Sequence, residues 1–132
     1  MFSLAMMKRK KLQQRADVIN LLQKFPKRNR PIFPLVCDSS INIIAEVKKA
    51  SPSAGTIKDV DPATQATLYQ KAGAKAVSVL ADSYYFNGSF DDVYHVADAV
   101  RLPVLCKEFI CYPEQIDVAY SAGADMILLI AS

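Results

Sequence analysis

The sequence predicts an α/β fold with a parallel sheet, because strand-like and helix-like segments alternate over most of the chain. Four short runs are aliphatic or β-branched and apolar on both faces, as buried parallel strands are. These strand candidates are residues 41–48, 76–81, 103–107 and 125–130. Helix candidates lie between them, near residues 62–72, 89–99 and 113–122. This alternation fits either a (β/α) barrel or a doubly wound open sheet, and periodicity alone does not choose between them.

An internal repeat supports the alternation. Residues 65–81 align without gaps on residues 115–131, and both segments run from a helix through Ala-Gly-Ala into a strand. Pro62 and Pro113 open the two helices, at a position where a missing N–H costs nothing. The glycines that follow suit helix C-caps, and Ser89 is the expected N-cap of the helix between the repeats. Repeated units of this kind predict a parallel sheet with right-handed crossovers.

Composition excludes several classes of protein. With 132 residues and 52% hydrophobic content, the chain can bury a core and is not disordered. No apolar run approaches the roughly 20 residues of a membrane-spanning helix. The apolar start precedes the basic cluster, which is the reverse of a secretory signal. Three cysteines without a CxxC pair and a single histidine predict reduced thiols, no metal site and a cytoplasmic protein.

The N-terminal segment is strongly basic. Residues 1–30 contain nine Lys or Arg and a single acid, Asp17, a pattern that can bind nucleic acid. Apolar residues at helical spacing favour instead an amphipathic helix over about 7–25 that docks on the main body. Its expected stripe is Leu12, Ala16, Ile19 and Leu22, flanked by Val18, Leu21 and Phe25. A proline-rich linker over 26–34 then separates a helical region, 1–35, from the α/β region, 36–132.

Charged residues on the apolar strands indicate a site. Glu46 and Lys48 are two residues apart, so both project from one face of the first strand. Lys107 ends the third strand, and ligand sites of parallel α/β folds lie beyond the C-terminal strand ends. Each lysine alone could simply extend into solvent. The two lysines together, with Glu46 as an acidic partner, favour a functional site.

Three segments resemble indole-3-glycerol phosphate synthase: residues 43–55 (IIAEVKKASPSAG), 78–92 (SVLADSYYFNGSFDD) and 103–130 (PVLCKEFICYPEQIDVAYSAGADMILLI). The resemblance implies a (β/α)8 TIM barrel, of which this chain holds the first four β-strands, a half barrel with an N-terminal helical extension. It also implies a lyase of tryptophan biosynthesis. Its reaction closes 1-(2-carboxyphenylamino)-1-deoxyribulose 5-phosphate to indole-3-glycerol phosphate, with loss of carbon dioxide and water.

The same resemblance implies roles for particular residues. Lys107 matches the general acid that protonates the substrate ketone, Lys48 the lysine that contacts its anionic groups, and Glu46 the glutamate that orients them. The residues implied to contact the rest of the substrate are Ser51, Phe86, Phe109 and Leu128, the last three as an apolar slot for the anthranilate ring. No cofactor or metal is implied.

Length limits what these residues can do alone. A closed eight-stranded barrel takes about 250 residues, and this chain follows the pattern through four strands. We expect activity only when the missing half completes the site, and open sheet edges that pair with a second copy or a separate C-terminal half-barrel chain. The alternatives are a non-catalytic truncated remnant and a phosphate-binding α/β module.

Overall fold

The computed structural model describes residues 3–51, 54–56 and 60–131. The helices in this part of the chain are α1 (Leu4–Gln13), α2 (Arg15–Leu21), α3 (Pro62–Lys71), α4 (Phe90–Ala99) and α5 (Glu114–Ser121). The strands are β1 (Ile44–Val47), β2 (Ala50–Ser51), β3 (Gly55–Thr56), β4 (Ala76–Leu80), β5 (Val104–Lys107) and β6 (Met126–Ile127). All four predicted strands are present but shorter than the apolar runs. Among the described residues, no helix has the length and apolar character to cross a bilayer.

Four strands form one parallel sheet in the order β1-β4-β5-β6. Helix α3 packs on α4, and α4 packs on α5, so these helices cover the same face of the sheet. A doubly wound sheet would instead reverse its strand order and carry helices on both faces. The arrangement is the first half of a (β/α)8 barrel, which confirms the predicted fold class.

The strand register separates two faces of the sheet. Every second side chain points toward the helices, and this row is buried and apolar: Val47, Val77, Val79, Val104 and Cys106. These residues pack on Ala66, Val93, Val96 and Val118 in one core. The opposite face aligns Glu46 with Ser78, Leu105 and Met126, and Leu80 with Lys107. That inner face therefore carries the polar side chains, as a barrel interior with a site at its mouth requires.

Helix ends agree with the sequence-based prediction. The carboxylate of Asp61 accepts the Thr64 N–H at 2.9 Å, and Ser89 Oγ accepts the Asp92 N–H at 3.1 Å, so both helices have side-chain N-caps. Gly123 follows the last turn of α5 with φ +101°. A Cβ there would come within 2.6 Å of the Ala97 Cβ, so both the backbone conformation and the helix packing require glycine.

The single N-terminal helix predicted over 7–25 is wrong in two respects. The segment forms two helices, because at Gln14 the amide donates to the Lys11 carbonyl three residues back instead of four. The buried face also differs from the predicted stripe, because Leu12 and Ile19 are 47% and 40% exposed. The buried residues are Met7, Lys11, Val18 and Phe25. The division of the chain into a helical region, 1–35, and an α/β region, 36–132, stays a prediction.

The segment over 26–34 forms no helix or strand, but it does more than connect the helical region to the α/β region. Arg28 and Arg30 donate to the two oxygens of Asp125 at 2.8 and 2.7 Å, and the Asp125 carboxylate is completely buried. The guanidinium of Arg30 also donates to the carbonyls of Ala97 and Leu102. These contacts attach the N-terminal segment to the end of the sheet where β5 and β6 begin, and they satisfy carbonyls at the end of α4.

Candidate active site

Three of the predicted site residues meet at the C-terminal ends of β1 and β5. Lys107 Nζ lies 2.9 Å from Glu46 Oε1, and Lys48 Nζ lies 3.8 Å from Glu46 Oε2. The three side chains are 30–41% exposed, so the cluster faces open space at the mouth of the half barrel. One carboxylate thus holds two ammonium groups where an anionic ligand would enter. Such an arrangement can bind an anion and supply a proton.

Helix α3 anchors the strand that carries Glu46. The Tyr69 hydroxyl donates to the Glu46 carbonyl at 2.9 Å, and Gln65 Nε2 donates to that hydroxyl at 2.7 Å. Glu46 is also in register with Ser78 on β4. The carboxylate therefore projects from a strand that is fixed on one side by the sheet and on the other by a helix.

Two aromatic rings lie on the loops that follow β4 and β5. The centroids of Phe86 and Phe109 are 6.4 Å apart with a tilt of 33°, and Tyr85 contacts Phe109 edge-on at the same distance. Both phenylalanines are half-buried. The structure thus brings together two of the three residues predicted to form an apolar slot, on the loops beside Lys107.

The remaining predicted site residues are placed only in part. Leu128 directly follows β6, 43% exposed, and lies two residues beyond Met126 on the inner face of the sheet. Ser51 belongs to β2, whose antiparallel pairing with β3 was not predicted and sets Ser51 opposite Gly55. The Ser51 side chain, together with residues 52 and 53 of the same predicted loop, lies outside the described part of the chain.

The sequence analysis missed a second charged cluster. Lys11 of α1 is 1% exposed, and its Nζ lies 2.5 Å from Asp82 Oδ1 and 2.9 Å from Glu108 Oε1. Asp82 follows β4 and Glu108 follows β5, so one ammonium bridges two strand ends. A signal for this cluster was available, since Met7, Lys11 and Val18 recur at helical spacing and acids follow both strands.

The charges of this cluster depend on each other. Burial acts to lower the pKa of Lys11, but the attraction of Glu108 and the contacts with Asp82 outweigh it and leave that pKa raised. Burial raises the pKa of Glu108, and the Lys11 ammonium offsets part of this effect. Lys11 therefore keeps its proton at neutral pH. The cluster holds one cation against two carboxyl groups.

Ser78 is a further polar residue on the inner face that the sequence analysis did not select. It is buried, and its hydroxyl has no hydrogen-bond partner among the described residues. Because it is in register with Glu46, it lies on the face that carries the candidate site. Its position in an otherwise apolar strand was the only sequence signal.

Cys106 and Cys111 do not form a reactive centre. Cys106 is buried in the core and Cys111 is half-buried, and desolvation raises the pKa of both. A raised pKa disfavours the thiolate, so these cysteines act as packing side chains. In the part of the chain that the structure describes, no three His, Cys, Asp or Glu residues are grouped so that they could hold a metal ion.

Comparisons with known proteins identify relatives of this chain. The family model for indole-3-glycerol phosphate synthase matches residues 4–132. The indole-3-glycerol phosphate synthase of Oceanobacillus iheyensis is 50% identical over 111 residues, which cover 80% of this chain and 42% of that enzyme. The enzyme of Microcystis aeruginosa is 46% identical over 127 residues, covering 92% of this chain and 43% of its own length.

The enzyme of Aquifex aeolicus is 57% identical over 88 residues, which cover 67% of this chain and 34% of that protein. The chain thus spans less than half the length of these curated relatives. The family match begins within α1 and so includes the helical region as well as the sheet. Taken with the half-barrel fold, these matches show that the chain belongs to the indole-3-glycerol phosphate synthase family.

Proposed function

We propose that this chain supplies the first half of an indole-3-glycerol phosphate synthase active site. The reaction converts 1-(2-carboxyphenylamino)-1-deoxyribulose 5-phosphate into indole-3-glycerol phosphate, carbon dioxide and water. The observation that carries the proposal is the Glu46 carboxylate, which contacts both Lys107 and Lys48 at the C-terminal strand ends. In barrels of this class, catalytic groups come from these ends.

Lys107 is the proposed general acid. Its ammonium group is 41% exposed and faces the mouth of the half barrel while Glu46 holds it on one side. A proton from Lys107 to the substrate ketone oxygen makes the carbonyl carbon more electrophilic, so that the aromatic ring carbon can attack it. Positioned proton donors of this kind accelerate reactions by roughly 10²–10⁴-fold.

Lys48 and Glu46 complete the proposed catalytic group. The Lys48 ammonium is 37% exposed and is available to an anionic group of the substrate, whose carboxylate and phosphate both need cationic partners. Glu46 holds the two ammonium groups apart on its two oxygens. It also stabilises positive charge that develops on the substrate nitrogen as water is lost.

The substrate ring would occupy the slot beside Phe86 and Phe109. Their 6.4 Å ring separation and half-buried positions support an apolar subsite next to Lys107. Leu128, on the same inner face, is proposed as the third side of this slot. Ser51 is proposed to contact the substrate from β2, which follows β1.

The open edges of the sheet support the proposal that a further half barrel completes the site. Within the described residues, β1 pairs only with β4 and β6 pairs only with β5. Apolar residues are exposed beside both edges: Ile41, Ile43, Ile44, Leu128, Leu129 and Ile130. We propose that a C-terminal half-barrel chain covers these edges, and that in its absence two copies of this chain associate. We also propose a cytoplasmic location, in keeping with three unpaired thiols.

The test uses the 132-residue chain alone and mixed with the C-terminal half of the Oceanobacillus iheyensis enzyme. Fluorescence of indole-3-glycerol phosphate measures turnover, and native mass spectrometry measures which complexes form. We expect turnover in the mixture and a drop of at least roughly 100-fold in Lys107→Met. Lys71→Met, which removes an exposed lysine on the outer helix α3, is the matched control and should keep full activity.

Two results would contradict the proposal. If the two halves form a complex that binds substrate without turnover, the chain is a binding module rather than half of an enzyme. If Lys107→Met and Lys71→Met have the same activity, Lys107 is not the general acid.

A further inference from the structure

Helix α1 and Gln14, the residue that follows it, contact the loop after β4. Lys10 Nζ lies 4.4 Å above the Tyr84 ring, Lys11 pairs with Asp82, and Gln14 Nε2 donates to Ser83 Oγ at 3.3 Å. Lys10 and Gln14 are half-buried, whereas Lys11 is 1% exposed. A helix that served only to cover the sheet would need apolar side chains at all its buried positions, as it has at Met7.

Burying an ammonium with two carboxylates is not an efficient way to gain stability. The desolvation cost of such groups often equals or exceeds their attraction, and apolar side chains of similar size usually stabilise a protein as well or better. Lys11 therefore calls for an explanation in terms of what its two partners hold in place.

Both partners of Lys11 also bind loop backbone. Asp82 Oδ2 accepts the N–H groups of Tyr85 and Phe86, the latter at 3.2 Å. Glu108 Oε1 accepts the Phe109 N–H at 2.7 Å. The ammonium thus joins two carboxylates, each of which fixes the loop that carries one ring of the Phe86–Phe109 pair.

Lys107 is held differently. It ends β5, where Leu80 is its register partner, and its ammonium contacts Glu46 on β1. The sheet therefore positions the proposed general acid without Lys11. The separation of the two rings depends on the loops and so on the cluster that joins them.

We propose that Lys11 is a positioning residue, which sets the spacing of the Phe86 and Phe109 loops through Asp82 and Glu108 and thereby the width of the aromatic slot. The identity of the ring that enters this slot rests on the proposed function. The positioning of the two loops by Lys11 does not rest on that function. It can be measured without turnover.

Amide hydrogen exchange followed by NMR tests the positioning directly. In Lys11→Met, the amides of Tyr85, Phe86 and Phe109 should exchange roughly tenfold faster, because their carboxylate acceptors lose the cation that holds them. The Val104 amide, which donates to Asp125 at the opposite end of the sheet, reports general destabilisation, and its exchange should speed up by less than that of the three loop amides. Lys8→Met, which removes an exposed lysine of the same helix, is the matched control.

A second variant decides the matter if Lys11→Met does not fold. Glu108→Gln keeps the shape of the side chain and leaves Lys11 paired with Asp82. It should speed exchange several-fold at Phe109 and leave Tyr85 and Phe86 unchanged. The proposal is overturned if these amides exchange as in the unmodified chain, or if Val104 speeds up in parallel with them.

Kinetics of the completed enzyme distinguish a role of Lys11 in the slot from a role in stability alone. A loosened slot should raise KM roughly tenfold in Lys11→Met, while Lys107, held by Glu46, keeps kcat within about threefold. An equal fall of kcat with KM unchanged would contradict a role in the slot. If the unmodified chain has no turnover in any mixture, the proposed function fails, and the exchange measurements still decide the role of Lys11.

Discussion

The two ends of the sheet use the same N-terminal segment in opposite ways. At the end where β5 and β6 begin, Arg28 and Arg30 converge on the single carboxylate of Asp125. At the end where β4 and β5 finish, the single ammonium of Lys11 faces two carboxylates, those of Asp82 and Glu108. One cluster has two cations for one acid, and the other has one cation for two acids.

The two ends differ in how completely their charged groups are paired and buried within the protein. Asp125 also accepts the N–H groups of Phe33 and Val104, so every part of its carboxylate is used within the protein. Near the other cluster, Glu46, Lys48 and Lys107 keep 30–41% of their side chains exposed. In barrels, the end where strands begin serves stability and the end where they finish serves chemistry. The contrast predicts that equivalent substitutions have opposite effects at the two ends.

The largest expected effect on stability is at the end of the sheet where β5 and β6 begin, which we call the closed end; the end where β4 and β5 finish is the open end. Asp125→Asn leaves two guanidinium groups without their carboxylate in a buried site, which typically costs about 3–5 kcal/mol. Because domains are stable by only about 5–15 kcal/mol, this variant should be close to unfolding at room temperature. Urea denaturation followed by circular dichroism measures the loss.

Asp98→Asn is the control for that measurement, since Asp98 is an exposed residue of α4 at the same end. Its midpoint should match that of the unmodified chain. If Asp125→Asn also unfolds at the same urea concentration, the Arg28 and Arg30 contacts do not stabilise the fold and the contrast between the ends fails.

Replacing a carboxylate by an amide at the open end should instead affect activity far more than stability. Glu46→Gln removes a partly exposed carboxylate, so the free energy of unfolding should change by less than about 1 kcal/mol. Turnover by the completed enzyme should fall roughly 100-fold, because Lys107 and Lys48 lose the charge that positions them.

Parallel urea denaturation and product-fluorescence assays separate the two quantities. A Glu46→Gln protein that is strongly destabilised would mean that Glu46 serves the fold. One that keeps full turnover would remove it from the proposed catalytic group.

The smallest expected effect concerns alkaline pH near the open end. Desolvation raises the pKa of Tyr112 to about 12 and raises that of Cys106, and the contacts with Glu108 and Asp82 leave the pKa of Lys11 raised despite its burial. The unfolded chain therefore loses these protons first, from about pH 9 upward. Stability contributed by the three groups is complete below that pH and declines as the pH rises toward 12.

Tyr112→Phe tests this dependence with little disturbance at neutral pH, since the buried Tyr112 hydroxyl has no hydrogen-bond partner among the described residues. Urea midpoints of the two proteins should agree at pH 7, and the decline from pH 9 to 12 should be shallower in the variant. Identical declines would show that Tyr112 ionises equally in the folded and unfolded chains.

Local signals in the sequence were sufficient for much of the fold. Aliphatic runs, helix-opening prolines and Ala-Gly-Ala ends predicted the β4, β5 and β6 units, because these features act within one or two turns of the chain. Strand positions also placed Glu46 and Lys48 on one face and Lys107 at a C-terminal strand end, since side chains alternate along a strand. The strand register then showed that Lys107 shares the face of Glu46. Whether they act as proposed is still a prediction.

The choice of a half barrel over a doubly wound sheet, and the contacts of Lys11, Arg28 and Arg30, were decided by the tertiary structure. Each basic residue pairs with an acid more than 70 positions away in sequence, and no local pattern encodes such a partner. Helical periodicity even selected the wrong buried face, with Leu12 in place of Lys11. The sequence by itself determined where helices and strands form and which polar groups end the strands. Only the folded chain determined which charges are buried together, because burial of a charge is stable only where distant elements supply its partners.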